Sequence, residues 1–221
     1  MIQARGVTCE APDGRCLLER MDLQVPEGGN LLVTGPSGSG KSRLLRVLAG
    51  TERPRSGALR IAGIAVWPGD GALPLAGRVR LGFAFAAGGL LSNLSLEDNV
   101  ALPLRFLGLG KPEVARRTAD ALARLDLEAV AGLRPHAVSG AARKHTNLAR
   151  VLALEPQLVL LDDPLDGLDT VDRAVALELI RAWAGNSGRT LVVAAEDAQA
   201  FPWLASNSIQ LALAATSPEP R

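Results

Sequence analysis

The sequence predicts an α/β fold, a mainly parallel sheet flanked by helices, with a helical segment inserted between its strands. Three observations support it. The short apolar runs at Asn30 to Thr34, Leu158 to Leu161 and Thr190 to Ala195 have the pattern of strands buried on both faces. Segments of helical spacing alternate with these runs. From Ser95 to Leu154 the strands disappear and helical patterning takes over.

Each element can be placed in order. Ile2 to Cys9 reads as a strand, Pro12-Asp13-Gly14 as a turn and Leu17 to Val25 as a second strand. Pro26-Glu27-Gly28-Gly29 breaks the chain before the buried strand Asn30 to Thr34. A glycine-rich loop leads into a helix from Ser42 to Ala49, and Ser56 to Gly63 and Val79 to Phe85 read as further strands. Helices follow over Leu96 to Leu107 and Pro112 to Leu127, the latter with Pro112 in its first turn and Glu113 at the positive end of its dipole. Ala141 to Leu154 is a third helix, stopped by Glu155-Pro156. Strand Leu158 to Leu161 closes on Asp162-Asp163, helix Val171 to Ala184 follows, and Thr190 to Ala195 is the last buried strand. No internal repeat is visible.

Composition narrows the function. Among 221 residues, 24 basic and 23 acidic side chains leave a formal charge of +1, which argues against a nucleic-acid-binding surface. Hydrophobic residues at 48% and charged ones at 21% suit a compact chain with a sizeable core. The longest apolar stretch, Leu81 to Leu91, contains three glycines and is too short to span a bilayer, and no secretory leader is visible behind MIQARGVTCE. Cys9 and Cys16 lack metal spacing; they read as two buried free thiols, the alternative being a pair facing each other across an N-terminal hairpin. A cytosolic chain that reaches a membrane through a partner is expected.

The strongest chemical signal is Gly35-Pro36-Ser37-Gly38-Ser39-Gly40-Lys41-Ser42, a G-x-x-x-x-G-K-[ST] run that follows a strand and opens a helix. Glycines let successive backbone N–H groups converge on phosphate oxygens, and the helix dipole adds positive potential. Lys41 supplies a cation for the outer phosphates, and the Ser42 hydroxyl can ligate Mg²⁺. Asp162, at the end of an apolar strand, supplies the second magnesium ligand.

Between these two sites, Val138-Ser139-Gly140-Ala141-Ala142-Arg143 and the helix that follows resemble the LSGGQ signature of ATP-binding-cassette (ABC) ATPases. The Asp162 to Asp169 run resembles their Walker B motif and D-loop, and Ser56-Gly57 with Ile61-Ala62-Gly63 resembles the strand pair after their first helix. The resemblance runs from Val7 to about Leu211. It implies one domain over 1–221. Residues 1–90 and 153–211 would form an N-terminal antiparallel β subdomain plus a P-loop NTPase (RecA-like) core, with a helical signature subdomain over 91–152 and a tail over 212–221. It also implies ATP and Mg as cofactors, a second ABC ATPase subunit packed head to tail, identical or different, and an integral-membrane permease. The chain would then sit peripherally on the cytoplasmic face of the inner membrane. The stretches GGLLSNLSLEDNVALPLRF and LALEPQLVLLDDP look most like Mla-type ATPases of phospholipid transporters, which implies a lipid cargo and an MCE-type lipid-binding protein in the complex.

Several positions depart from that family's pattern. Ala11 falls where an aromatic stacks on adenine, and Ala86 where a glutamine reaches Mg²⁺ and water. The signature keeps Ser139 and Gly140 but has Ala141 for its second glycine and Ala142 for its glutamine. Asp163 replaces the catalytic glutamate, Asp166 a small D-loop residue, and Glu196 the histidine that contacts the γ-phosphate. The family's closing elements after Leu211 are also expected to be missing. His136 and His145 are expected at the surface near the signature helix. Three readings follow: an ATP-binding subunit with weak or no hydrolysis, a slow ATPase with Asp163 as its base, and a regulator resembling ABC-type cell-division ATPases. The segment 87–97, with Leu90, Leu91, Leu94 and Leu96, would either receive a permease helix or pack the helical subdomain's own core.

Overall fold

The computed structural model describes residues 1–67, 75, 78–86 and 89–213. Residues 87 and 88 of the expected docking segment and 214–221 of the tail lie outside them. Two sheets organise the chain. Strands β1 (Ile2–Glu10), β2 (Cys16–Val25), β4 (Ser56–Ile61) and β5 (Ile64–Ala65) form an antiparallel sheet in the order β2-β1-β4-β5. Strands β3 (Asn30–Thr34), β6 (Leu81–Ala84), β7 (Leu158–Asp162), β8 (Thr190–Ala195) and β9 (Ser208–Gln210) form a parallel sheet in the order β6-β7-β8-β3-β9. The expected α/β class, with a parallel core and an antiparallel N-terminal sheet, is the class observed.

Every residue of β7 and β8 is buried, which explains their unbroken apolar runs. Alternate residues face opposite sides. Leu31, Val33, Leu158 and Leu160 join a core shared with the antiparallel sheet and helix α1 (Lys41–Leu48). Leu32, Val159, Leu161 and Val193 join a second core with helices α2 (Leu96–Phe106), α4 (Gly140–Leu152) and α5 (Thr170–Ala184).

Some expectations need correction. The helix begun at Pro112 is α3 (Lys111–Ala123), shorter than the sequence suggests. Leu125 and Leu127 are still buried, so the apolar spacing continues past the helix, but Asp126 turns left-handed (φ 53°) and ends it. Strands β5 and β9 are two and three residues long, too short to leave a pattern. Cys9 is a buried free thiol, whereas Cys16 is free but exposed at the start of β2. Of the leucines in the expected docking segment, Leu91 is exposed, whereas Leu96 is fully buried at the start of α2. Above it, buried Asn99 gathers the loop 91–95: its amide donates to the carbonyls of Leu91 (3.1 Å) and Ser95 (2.8 Å), and its Oδ1 accepts from the Leu91 N–H (2.7 Å).

Candidate functional site: a phosphate cradle at the carboxyl edge of the parallel sheet

Open α/β sheets present their ligand sites at the carboxyl ends of their strands. Here β8 lies between β7 and β3, so three chain segments leave the sheet side by side: 162–163, 196–197 and the loop 35–40. Residues that are far apart in sequence meet there because the strand order is not the chain order.

The loop from Gly35 to Gly40 curls as its glycines allow. Gly35, Gly38 and Gly40 have φ values of 149°, 81° and 95°. A Cβ on Gly35 would lie 2.5 Å from the Leu211 carbonyl oxygen and 2.7 Å from Ser39 Oγ, so no other residue fits. Pro36 accepts the Ser39 N–H through its carbonyl (3.2 Å), and Ser37 lines the neighbouring cleft. Ser39 is fully buried, and its hydroxyl has no partner among the described residues. The helix opens directly from this loop, and Gly40 has no side chain to cap it, so its first N–H groups stay available to a ligand.

Lys41 is 5% exposed, and its Nζ donates to the carbonyls of Gly35 (2.8 Å) and Pro36 (3.1 Å). Ser42 Oγ donates to Asp162 Oδ1 at 2.9 Å. This contact brings the two expected magnesium ligands together across the width of β8. Burial pushes the Asp162 carboxyl above its ordinary range, against the opposing pull of the Ser42 hydrogen bond and Lys41. An orphaned hydroxyl, a cradle that a Cβ would fill and a hydroxyl–carboxylate pair beside a buried ammonium suit a polyphosphate with a magnesium ion.

Of the positions expected to depart from the family's pattern, Asp163, Asp166 and Glu196 fall around the same edge. Asp163 has φ 43° and donates its N–H to the Ala194 carbonyl (2.9 Å); burial raises its carboxyl, with Lys41 opposing and Asp162 and Glu196 reinforcing. Glu196 Oε1 lies 3.9 Å from Lys41 Nζ. Asp163, Asp166, Glu196 and Asp197 share a cleft of about 320 Å³ with Ser37 and Arg173. Ala11 lies in the β1–β2 turn, where it exchanges backbone bonds with Arg15 and Gly14; the adjoining strand touches the loop through Leu17, near Gly40.

Ser139 and Gly140 do not join this cluster. Ser139 caps α4, its Oγ accepting the Ala142 N–H at 3.0 Å, and both residues are exposed at the helix N-terminus. Ala141 and Ala142 pack against the helical core.

Other polar residues on α4 escaped the sequence reading. Lys144, Asn147 and Arg150, spaced by three, donate to the carbonyls of Ala86 (3.1 Å), Phe85 (2.9 Å) and Gly89 (2.7 Å). They tie the signature helix to the segment after β6. Burial lowers the Lys144 ammonium, while Asp166, Asp163 and Asp162 oppose that. His145, expected at the surface, is 4% exposed, and its Nε2 lies 3.1 Å from the Asp172 carbonyl oxygen, joining α4 to α5. His136 is exposed, as expected. Polar residues at core-facing helical spacing were the available signal for Lys144 and Asn147.

Comparison with known proteins agrees with this geometry. The chain is 35% identical over 202 residues to the uncharacterized ABC transporter ATP-binding protein Rv2564 of Mycobacterium tuberculosis, a match covering 91% of this chain and 61% of that protein. It is 33% identical over 201 residues to the lipoprotein-releasing system ATP-binding protein LolD of Chromohalobacter salexigens, covering 89% of this chain and 85% of that one. Among solved structures, the dimeric bacterial ABC transporter cassette MJ0796 superimposes with a TM-score of 0.88 at 28% identity, covering 97% of this chain and 95% of the other. The chain thus spans less than two thirds of the length of some relatives and most of others. The ABC transporter family model matches residues 18–166, well over half of the sequence, and the chain belongs to that family as an ATP-binding domain.

Proposed function

We propose that this chain is the ATP-binding subunit of a transporter, holding MgATP at the 35–42 loop and hydrolysing it weakly or not at all. The observation that carries the reading is an intact cradle, with Ser42 and Asp162 2.9 Å apart beside buried Lys41, next to a Glu196 carboxylate at 3.9 Å from that lysine.

The loop N–H groups and the α1 N-terminus bind phosphate oxygens, and Lys41 exchanges its two carbonyl partners for outer-phosphate oxygens. Ser42 and Asp162 would hold magnesium, which when bound offsets phosphate charge. Asp163 is the carboxylate placed to accept a proton from water, one methylene shorter than glutamate; a misplacement of about 1 Å can lower a rate about 100-fold. Ala86 offers only its carbonyl, already taken by Lys144. Where a donor is expected, Glu196 presents an anion, and loss of one preorganised donor costs about 100- to 1,000-fold.

Ser139 and Gly140, at an exposed helix N-terminus, suit a role facing the phosphates of a second ABC ATPase, identical or different. A permease helix would dock on the apolar groove of about 640 Å³ lined by Leu81, Leu102, Phe106 and Leu107, where Phe106 is 91% exposed. Such docking places the chain peripherally at the cytoplasmic face of the membrane. Among the described residues no helix is long and apolar enough to cross it. A lipid cargo, with an MCE-type partner, is supported by the resemblance over 88–106 and 152–164 and by similarity to a lipoprotein-releasing relative.

The test is phosphate release by the chain co-purified with its permease, beside a Lys41→Ala version. ATP binding without turnover is expected. Turnover lost with Lys41→Ala would instead establish a slow ATPase with Asp163 as its base. Turnover that survives Lys41→Ala places hydrolysis in another subunit and leaves this chain a binding one.

A further inference from the structure

The Lys41 ammonium carries three hydrogens, and two are spent on the carbonyls of Gly35 and Pro36. Its remaining direction faces Glu196 Oε1 at 3.9 Å. This position is set by the sheet: β8 pairs with β3 in parallel register, Thr34 opposite Ala195, so Gly35 and Glu196 leave the sheet abreast. The lysine is 5% and the glutamate 58% exposed, so the carboxylate lies on the solvent side of the cation. That is the side from which the outermost phosphate of a bound nucleotide must approach, since the loop encloses the inner ones.

Behind Glu196 the cleft is walled by the carboxylates of Asp163, Asp166 and Asp197, with Arg173 as the one cation lining it among the described residues. A diphosphate can fill the cradle and leave Glu196 in place. A triphosphate adds one net negative charge, puts its doubly charged terminal phosphate on the acidic side and has to displace Glu196 from the lysine.

We infer that Glu196 is a specificity-determining residue, a carboxylate standing in for the third phosphate, which makes the isolated chain favour a nucleoside diphosphate over a triphosphate. This rests on the nucleotide-binding reading above and deepens it. The glutamate is solvent-exposed, so screening limits its effect to about tenfold, and added salt reduces it further. The triphosphate state then becomes favourable when a facing subunit's helix N-terminus supplies the missing positive potential.

The test is equilibrium binding of ADP and of the non-hydrolysable β,γ-imido analogue of ATP, each with magnesium, at low and high salt. The chain itself, Glu196→Gln and Glu196→Ala are compared. The expected result is tighter binding of the diphosphate by the unaltered chain, a shift of about tenfold in the affinity ratio toward the triphosphate in both variants, and a gap that narrows with salt. Agreement between the Gln and Ala variants assigns the effect to charge rather than shape. A ratio that moves less than twofold in both variants, with both nucleotides bound, overturns the proposal and leaves the nucleotide-binding reading standing. Failure of the unaltered chain and both variants to bind either nucleotide overturns that reading, and the proposal with it.

Discussion

Lys144 is held between a backbone carbonyl and three carboxylates, and the two surroundings make different demands on it. Replacing it with methionine keeps much of its volume but leaves the Ala86 carbonyl without its side-chain donor. We expect Lys144→Met to lower stability by about 1 kcal/mol, the low end for an acceptor left unpaired because this contact is only partly buried, as read from urea unfolding. An unchanged midpoint would mean that water replaces the ammonium there. The two thiols offer a second contrast. Burial pushes the Cys9 thiol up to about 11, with Arg43 pulling the other way, whereas Cys16 is exposed and its Sγ reaches the Leu18 carbonyl oxygen at 3.5 Å. A thiol reagent at pH 8 should therefore label Cys16 quickly, and Cys16→Ser should reduce labelling to the slow rate at which the chain opens. Fast labelling of Cys16→Ser would contradict the burial of Cys9. Residues such as the 35–42 loop were legible in the sequence because their chemistry needs glycines, a lysine and a serine at fixed spacing within one short run. Lys144, Asn147 and His145 were not, because each bonds a carbonyl of a distant segment, and a carbonyl leaves no mark in a sequence.

At the scale of elements, α4 is the hinge of the arrangement, packed against β6 on one side and joined to α5 on the other. It approaches the sheet tightly at Gly82, where a Cβ would lie 2.6 Å from Val151 Cγ1, and 3.3 Å from Pro156 Cγ beyond the helix. Gly82→Ala should cost about 1–3 kcal/mol through overpacking. Val151→Ala in the same chain should recover part of it, a coupling that a double-mutant cycle of unfolding free energies measures. Helix α3 carries a different kind of interaction. Glu113 accepts from Arg116 (2.8 and 3.0 Å) and Arg117 (2.6 Å), which hold its carboxyl down at about 2 against an ordinary 4.5. Because the folded value lies below the unfolded one, this contribution is fully present above pH 4.5 and is lost as the pH falls from there toward 2. Melting temperatures of Glu113→Gln should therefore fall less steeply than those of the unaltered chain across that window, and salt should shrink the difference, since the group is fully exposed. The α-helices and the longer strands were legible from periodicity, whereas β5 and β9 were too short to be. The end of α3 was not, because Leu125 and Leu127 stay buried after the helix has stopped, so burial pattern and helix part company there.

The whole molecule is two cores that share one sheet. Leu31, Val33, Leu158, Leu160 and Val192 point toward the antiparallel sheet, and their immediate neighbours Leu32, Val159, Leu161, Leu191 and Val193 point toward the helices. No boundary therefore separates a nucleotide-binding half from a helical half at the level of β3, β7 and β8. Consecutive residues of a single strand stabilise both. A lesion in one core should weaken the other by moving the strand that carries it. Leu160 is fully buried on the antiparallel-sheet side, and Leu160→Ala should cost about 2–5 kcal/mol. The three tryptophans report the two sides separately, since Trp67 packs on that core and Trp183 and Trp203 on the helical one. Versions of the chain that keep Trp67 alone, or Trp183 alone, with phenylalanine at the other two positions, isolate each signal. Unfolding in urea should give coincident transitions from both probes, and Leu160→Ala should move both midpoints together, although Trp183 belongs to the opposite core. A Trp67 transition that shifts while the Trp183 transition stays in place would show instead that the helical core holds the sheet without help from the other side. The alternation of facing residues along β3, β7 and β8 argues for the coincident outcome.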